Sequence, residues 1–379
     1  MVVTVIANGF QEDYTVNLVN ALAESGIEVD FIGSDIYLNY EINKRVNFLN
    51  LRGSHIESAS KLSKIKRIIR YYLRLLKYSK KAKHKVFHIQ WLRFYYFEGV
   101  LFSTILKLMG KRIVYTVHDV LPHSKETPKM RKLFKKVYRV SNHLIAHTGY
   151  IKKRLVEEFH LNQDKIAVVK HGVYNLNLHD AITKENARSE MKISKDDIVL
   201  LFFGYITEYK GLPLLFDAFK QLERKHENIK LLVAGKVSQE YKDTFDRLRA
   251  QITSDNVQIT TKYLDDLEVE QHYKASDIVV LPYLEASQSG VMFISYAYGK
   301  PVIAPNFGGF PYDIIPEKTG LLFERQNTDD LTHQINRAID IFCKDSKETS
   351  RYITDYATEN YSWEGSAKAL KLIYKHHNN

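Results

Sequence analysis

The chain has 379 residues, 45% hydrophobic and 26% charged, with a single cysteine. At roughly 100–200 residues per domain this length makes two domains, each able to bury a core. No run of 18 apolar residues occurs, which excludes a spanning helix, and Cys343 alone excludes an internal disulfide or a cysteine metal site, as fits a reducing cytoplasm.

The formal charge of +11 is unevenly placed. Residues 51–150 hold 23 Lys/Arg against 4 Asp/Glu, whereas residues 181–379 hold 25 against 29. One half is a cationic surface, and such a field favours an anionic partner.

In chain order, Met1 to Ala7 has no basic leader and reads as a first strand, not a signal peptide. Asn8-Gly9-Phe10 is a turn. Gln11 to Ser25 carries Val16, Leu18, Val19, Leu22 and Ala23 at helical spacing, Gly26 stops it, and Val29–Ile32 is the next strand. No G-x-G-x-x-G occurs anywhere, which argues against the usual dinucleotide fingerprint.

Residues 60–85 form a basic amphipathic helix. Leu62, Ile65, Ile69, Tyr72, Leu73 and Leu76 share one face, and Lys66, Arg70, Arg74, Lys77 and Lys81 lie largely on another. Residues 129–139 have the same character. Two solvated helices packed on a domain would explain both stretches. A surface resting on anionic lipid headgroups would too. Nucleic acid would suit the charge, but no helix-turn-helix, zinc or RNP-like pattern accompanies it.

Val86–Trp91 and Arg112–Val117 read as strands with a helix around Glu98–Met109 between them. The second strand ends in His118-Asp119-Val-Leu-Pro122-His123. In open α/β sheets, ligands sit at the carboxyl ends of strands, so His118 is placed for chemistry. Further strands are read at Ser141–His147 and Ile166–Val169, with a helix at Ile151–Phe159. The polar stretch Asn175–Lys195 is read as the linker.

A second α/β series begins at Ile198–Phe203 and continues through strands at Leu231, Val257, Ile278, Val302 and Thr319. The chain closes on helices Leu331–Phe342 and Ser362–Lys375. Within this series Ile278–Leu281 is a short buried strand ended by Pro282. Glu285 to Gln288 is a polar loop, Ser289 an N-cap, and Val291–Tyr298 a helix stopped by Gly299 and Pro301. Strand, small-residue loop and helix N-terminus make an anion site from free N–H groups and the helix dipole. An ordinary strand–helix connection would look the same.

Several motifs follow one another in a fixed order: Phe203-Gly-x-Ile-x-x-Tyr-Lys210-Gly211-Leu, Leu281-Pro-Tyr, Ser287-Gln-Ser-Gly-Val291, Gly299-Lys-Pro-Val-Ile303, Gly308-Gly-Phe and Gly320-Leu-Leu-Phe. Thr116-Val-His-Asp-Val-Leu-Pro-His123, Lys170-His-Gly-Val-Tyr174 and Tyr361-Ser-Trp-Glu364 join them. Together they resemble glycosyltransferases of the GT-B fold, specifically retaining family 4 of the bacterial surface-polysaccharide type. The resemblance covers nearly the whole chain and is most specific from Ile198 to Phe323.

The resemblance implies an α/β fold of two Rossmann-like domains facing across a deep cleft. Residues 1–178 would bind the acceptor and 190–361 the nucleotide-sugar donor, with the helix 362–379 crossing back. It implies metal-independent transfer of a sugar with retention, from a UDP or GDP sugar, with no other cofactor. His118, Lys210 and Glu285 would be catalytic. Gly9, Lys210, Ser287, Gln288, Ser289, Gly290 and Val291 would hold the diphosphate and sugar, and Tyr263 and Leu264 the nucleoside. The basic stretches 60–85 and 129–139 would place a cytoplasmic protein on the inner face of the plasma membrane, near a glycan or lipid-linked acceptor.

The chain also departs from the pattern. Tyr205 stands where the family has a phosphate-binding Arg, so backbone amides at 289–291 would carry more of that contact. Ala286 and Ile294 stand at its two Glu positions, with Glu285 one place from the first. No Asp-x-Asp occurs. A nucleotide-sugar epimerase of the same fold and a non-catalytic binding subunit are the alternatives.

Overall fold

The computed structural model describes residues 1–9, 11–54, 60–122, 126–174, 179 and 182–378. It divides into two compact units: Met1–Tyr174 with Tyr361–Asn379, and Asn175–Asn360. His123 and parts of the expected linker lie outside the described residues.

In the first unit β1 (Val2–Ile6), β2 (Glu28–Ile32), β3 (Val46–Leu49), β4 (Val86–Ile89), β5 (Arg112–Val117), β6 (His143–Ala146) and β7 (Ile166–Val168) form one sheet in the order β3-β2-β1-β4-β5-β6-β7. Every pairing is parallel. In the second, β8 (Ile198–Phe203), β9 (Ile229–Ala234), β10 (Val257–Thr260), β11 (Ile278–Val280), β12 (Val302–Pro305) and β13 (Gly320–Phe323) are ordered β10-β9-β8-β11-β12-β13, also all parallel. The central strands are apolar runs because helices cover both faces of a parallel sheet. Phe202, Leu200, Val233, Val280 and Ile303 are buried in one such layer. Strand order reverses between β1 and β4 and between β8 and β11. Each reversal opens a crevice at the carboxyl ends of the strands.

The closing helix Trp363–Asn378 belongs to the first unit. Its Trp363, Ala367, Leu370 and Tyr374 pack into the core with Leu18 and Leu22 of the helix Glu12–Glu24. Strand β3 and the helices Lys184–Glu190, Lys242–Ala250 and Ser346–Asn360 were not legible from periodicity.

The basic helix runs Lys61–Lys81, but its inward stripe differs from the expected one. Tyr71, Tyr72, Leu75 and Ser79 are buried, whereas Leu62, Ile65, Ile69 and Leu73 are 53–63% exposed. The expected apolar face is therefore split. Tyr72 turns inward and pairs its ring with Phe97 at 4.7 Å, and Leu76 packs partly buried against the core, while Leu62, Ile65, Ile69 and Leu73 face out. The second basic helix, Pro128–Val140, buries Phe134, Val137 and Tyr138 and leaves Lys129, Lys132 and Lys136 exposed. Its Arg131 is paired with Glu158 at 2.6 Å and Glu126 at 3.2 Å.

The expected linker is also partly built into the second unit. Arg188 is 3% exposed. Its guanidinium donates to the carbonyls of Ala275, Ser194, Lys195 and Asp197 and to Asp277 Oδ2 at 2.8 Å. Asp277 in turn accepts from Lys184 and from the amide of Val199, the second residue of β8. One buried side chain thus ties residues 184–197 to the sheet. Arg188→Ala leaves Asp277 short of its buried partner and should cost about 3–5 kcal/mol of unfolding free energy. Chemical denaturation measures this; a loss below about 1 kcal/mol would contradict it.

Candidate functional site

In the second unit the loops after β8, β11 and β12 close on one another. Lys210 ends a short 3₁₀ turn, Glu208–Lys210, and is 8% exposed. Its Nζ donates to Tyr283 Oη at 2.5 Å and lies 3.8 Å from the centre of that ring. Ser289 Oγ reaches the same Tyr283 hydroxyl at 3.4 Å. The structure therefore brings together Lys210 and Ser289, 79 positions apart in sequence, through a tyrosine that the Leu281-Pro-Tyr motif contains.

Two glycines make this closure possible. Gly211 has φ +69°, and a Cβ there would lie 1.9 Å from the Pro282 carbonyl oxygen. Gly308, also φ +69°, would place a Cβ 1.9 Å from the Ala286 oxygen. Only glycine meets both demands, the left-handed backbone and the contact. Leu284 N donates to Tyr209 O at 2.7 Å and seals the two loops together.

Ser289 occupies the N-cap position of the helix Gly290–Ala297, but its side chain makes no capping bond. It is turned to Tyr283 instead, which differs from the expected cap. The amides at Gly290 and Val291 lie in the first turn, where the helix has no carbonyls of its own to offer them. Ser287 is buried beside them. Two further polar atoms on these loops, Thr207 Oγ1 and Gln288 Oε1, are buried with no hydrogen-bond partner among the described residues.

The remaining predicted residues are placed less closely. Glu285 is exposed, while Ala286, at the family's first Glu position, is buried under Gly308. That contact fixes the loop register and leaves Glu285 outside it. Ile294 is half-buried in the helix. Tyr205 is 53% exposed, and Tyr263, after edge strand β10, is 83% exposed. Leu264 is buried, so its backbone is what it can offer a base.

In the first unit the rim of the sheet is aromatic. Trp91 follows β4, His118 follows β5, His147 follows β6 and His171 follows β7. His118 is 2% exposed and stacks on Trp91, with ring centres 3.7 Å apart and planes 8° from parallel. Tyr14 stands edge-on to His118 at 5.0 Å and to His147 at 5.5 Å. Neither ring nitrogen of His118 has a hydrogen-bond partner among the described residues. His147 does have partners: Nδ1 lies 2.8 Å from the Val169 carbonyl and Nε2 3.2 Å from Tyr14 Oη. The carbonyl can only accept, so Nδ1 carries the proton and Nε2 accepts from the phenol. Gly9, with φ +73°, lies after β1 at the same rim. Sequence reading picked out His118 but missed the group; the signal was one histidine just past each of three successive strands.

Burial lowers the pKa of these three histidines and of His88, which lies within β4 and hydrogen-bonds Thr116 and Tyr374. His147 is brought to about 4. His88 and His171 are brought to about 3, each also through neighbouring histidines. His118 lies well below the ordinary value for the same two reasons. The layer is neutral at pH 7.

Both family models that match are glycosyltransferase models. "Glycosyltransferase Family 4" matches residues 11–174 and "Glycosyl transferases group 1" matches residues 183–360. The chain is a GT-B glycosyltransferase of the family 4 type. A D-inositol 3-phosphate glycosyltransferase of Corynebacterium aurimucosum is 23% identical over 95% of this chain and 89% of its own length. An uncharacterized glycosyltransferase of Methanocaldococcus jannaschii is 26% identical over 61% of this chain, and the match spans 59% of that relative's length. Among solved structures, Anabaena HepE in complex with UDP and glucose aligns with a TM-score of 0.77 at 14% identity, over 99% of this chain and 100% of that one.

The sign of the pH dependence follows from the histidines of this GT-B chain. Their folded pKa values lie below the ordinary value near 6.5, so the unfolded state binds more protons in between. Stability is whole above about pH 6.5 and falls as the pH drops towards 4, by about 1.4 kcal/mol per pH unit for each histidine. Melting between pH 7 and pH 5 should show a steep loss, shallower in His147→Asn. A flat profile over that range would contradict a neutral buried layer.

Proposed function

We propose that the chain moves a sugar from a UDP or GDP sugar to a glycan or lipid-linked glycan acceptor, with retention at the anomeric carbon. The role would be assembly of a cell-surface polysaccharide such as a capsule, an exopolysaccharide or an O-antigen. The observation that carries the donor half is the Lys210–Tyr283–Ser289 cluster at the first turn of the helix Gly290–Ala297. An ammonium and a row of backbone amides suit the two phosphates of a nucleotide sugar. Thr207 Oγ1 and Gln288 Oε1 supply polar atoms that a ligand would satisfy. A solved relative in fold binds UDP and glucose.

In the transfer, the bond from the anomeric carbon to the diphosphate oxygen breaks and its electron pair stays on that oxygen. Lys210 and the amides at 289–291 stabilise the charge as it grows. The departing oxygen takes the proton of the acceptor hydroxyl. The new glycosidic bond then forms on the face just vacated. His118, neutral and stacked on Trp91, offers its ring nitrogens to sugar hydroxyls at the rim of the acceptor unit.

A thermal-shift screen of UDP, GDP and their sugars should show one base stabilising the protein by saturable binding. Lys210→Met should weaken that binding about tenfold or more and reduce transfer further. Retained donor affinity and activity would remove Lys210 from the phosphate site. An isomeric nucleotide sugar formed without acceptor would move the chain to the epimerases.

The membrane part rests on the exposed stripe Leu62, Ile65, Ile69 and Leu73 and the Lys66, Arg70, Arg74 and Lys77 beside it. Phe94, Tyr96, Phe97, Leu101 and Leu108 extend the exposed apolar surface. No helix among the described residues is long and apolar enough to cross a membrane. An amphipathic helix with cations beside an apolar stripe suits the surface of an anionic leaflet, on the inner face of the plasma membrane. The protein should float with phosphatidylglycerol-containing vesicles and not with pure phosphatidylcholine, and less so at high salt. Ile65→Asp with Ile69→Asp should abolish flotation. Equal recovery with both vesicles would contradict the reading.

A further inference from the structure

A cavity of about 120 Å³ opens beside the inward face of the helix Lys61–Lys81. That is several times the roughly 10–15 Å³ one water needs. It is lined by Arg52, Lys64, Arg67 and Arg93 together with Ile68, Tyr71, Tyr72 and Phe94, with no carboxylate among the described lining residues. Arg52 is 8% exposed. It is held in place by Asn8, whose Oδ1 accepts from Arg52 Nη1 at 2.6 Å, and its guanidinium lies 5.2 Å from the Tyr71 ring. Arg67 donates to the Ser54 carbonyl.

The nearby buried carboxylate is already occupied. Glu98 accepts from Tyr72 Oη at 2.5 Å, from the amides of Arg93 and Phe94, and from Asn8. Arg52, Arg67 and Arg93 make no ion pair with a carboxylate among the described residues. After burial, Arg52 and Arg67 push the Arg93 pKa down, and Glu98 pushes it back up, more than Arg67 lowers it. Crowding of like charges around a cavity is unfavourable unless an anion fills it.

We propose that this cavity is a binding site for a phosphomonoester or diphosphate group of the acceptor, a site on the acceptor side separate from the donor phosphates. The inference rests on the glycosyltransferase reading only for the word acceptor. Three guanidiniums give several forked donors, which match a group carrying two or more negative charges better than a singly charged phosphodiester. The aromatic wall suits the apolar or sugar part attached to it. Ile68, Tyr71 and Tyr72 lie on the same helix whose outer face is the exposed apolar stripe. An anionic group on a lipid resting against that stripe would be within reach of the cavity mouth. A free phosphate and a lipid-borne one share the chemistry, and the experiment separates them.

Full-length protein is titrated with inorganic pyrophosphate by calorimetry and, separately, floated with phosphatidylcholine vesicles doped with dodecyl phosphate. Vesicles doped to the same charge with phosphatidylglycerol are the control. Titrated with UDP saturating the donor site, Arg67→Gln with Arg93→Gln should weaken at least one phosphate probe about tenfold or more, while Lys210→Met keeps dodecyl phosphate binding and the phosphatidylglycerol control is little changed. Arg52→Gln should act in the same direction, with circular dichroism and melting checking that the unit still folds without the Asn8 contact. Binding of both probes marks a site for the free anion, and binding of dodecyl phosphate alone marks a lipid-borne one; both support the proposal. No binding of either probe overturns it. So does binding lost only in Lys210→Met, or an equal fall with phosphatidylglycerol. UDP binding, measured alongside, reports on the donor reading, so the two can fail separately.

Discussion

Three loops of the second unit pack backbone against backbone, and the Lys210–Tyr283–Ser289 cluster depends on it. A side chain at Gly211 would strike the Pro282 carbonyl, and one at Gly308 would strike that of Ala286. Because both lack one, the loops after β8, β11 and β12 close to van der Waals contact. Lys210 is then carried onto Tyr283, and Tyr283 onto Ser289. The parallel sheet supplies the other half of the constraint, since it delivers all of these loops to one rim. In the proposed function, a phosphate pair at this rim would meet an ammonium and fixed amide dipoles that need no rearrangement during reaction.

The first unit uses the same topology differently. Its rim is a layer of tryptophan, tyrosine and neutral histidines rather than a nest of small residues. Such a layer presents flat apolar faces and hydrogen-bonding edges, which suits a polyhydroxylated ring better than a phosphate. Its positive charge lies elsewhere, on the helix Lys61–Lys81 and in the cavity behind it. The charge imbalance of residues 51–150 thus divides into an outer face with an apolar stripe and an inner group of guanidiniums.

Much of this was legible in the sequence. Strand and helix alternation follows from apolar runs broken by glycine and proline, and the ordered motifs from Phe203 to Phe323 carry the family. The position of His118 just past a strand was legible, and it lies there stacked on Trp91. The inward stripe of the basic helix was not legible, because periodicity groups residues by face but does not say which face meets the core. There, Tyr71 and Tyr72 outcompete smaller aliphatics for burial by offering larger rings and neighbours to pack on. Nor could spacing reveal Ser289 turning from its cap to Tyr283, or Arg52, Arg67 and Arg93 meeting from separate segments. Both depend on tertiary contacts with no local signature.

The central claim is that the donor diphosphate is held where Lys210, Tyr283 and the amides at 289–291 converge. A crystal structure of the UDP complex tests it directly. The account predicts phosphate oxygens within hydrogen-bonding distance, about 2.7–3.2 Å, of Lys210 Nζ and of at least one amide at 289–291. UDP phosphates bound away from this cluster, with Lys210 still turned to Tyr283 alone, would contradict it.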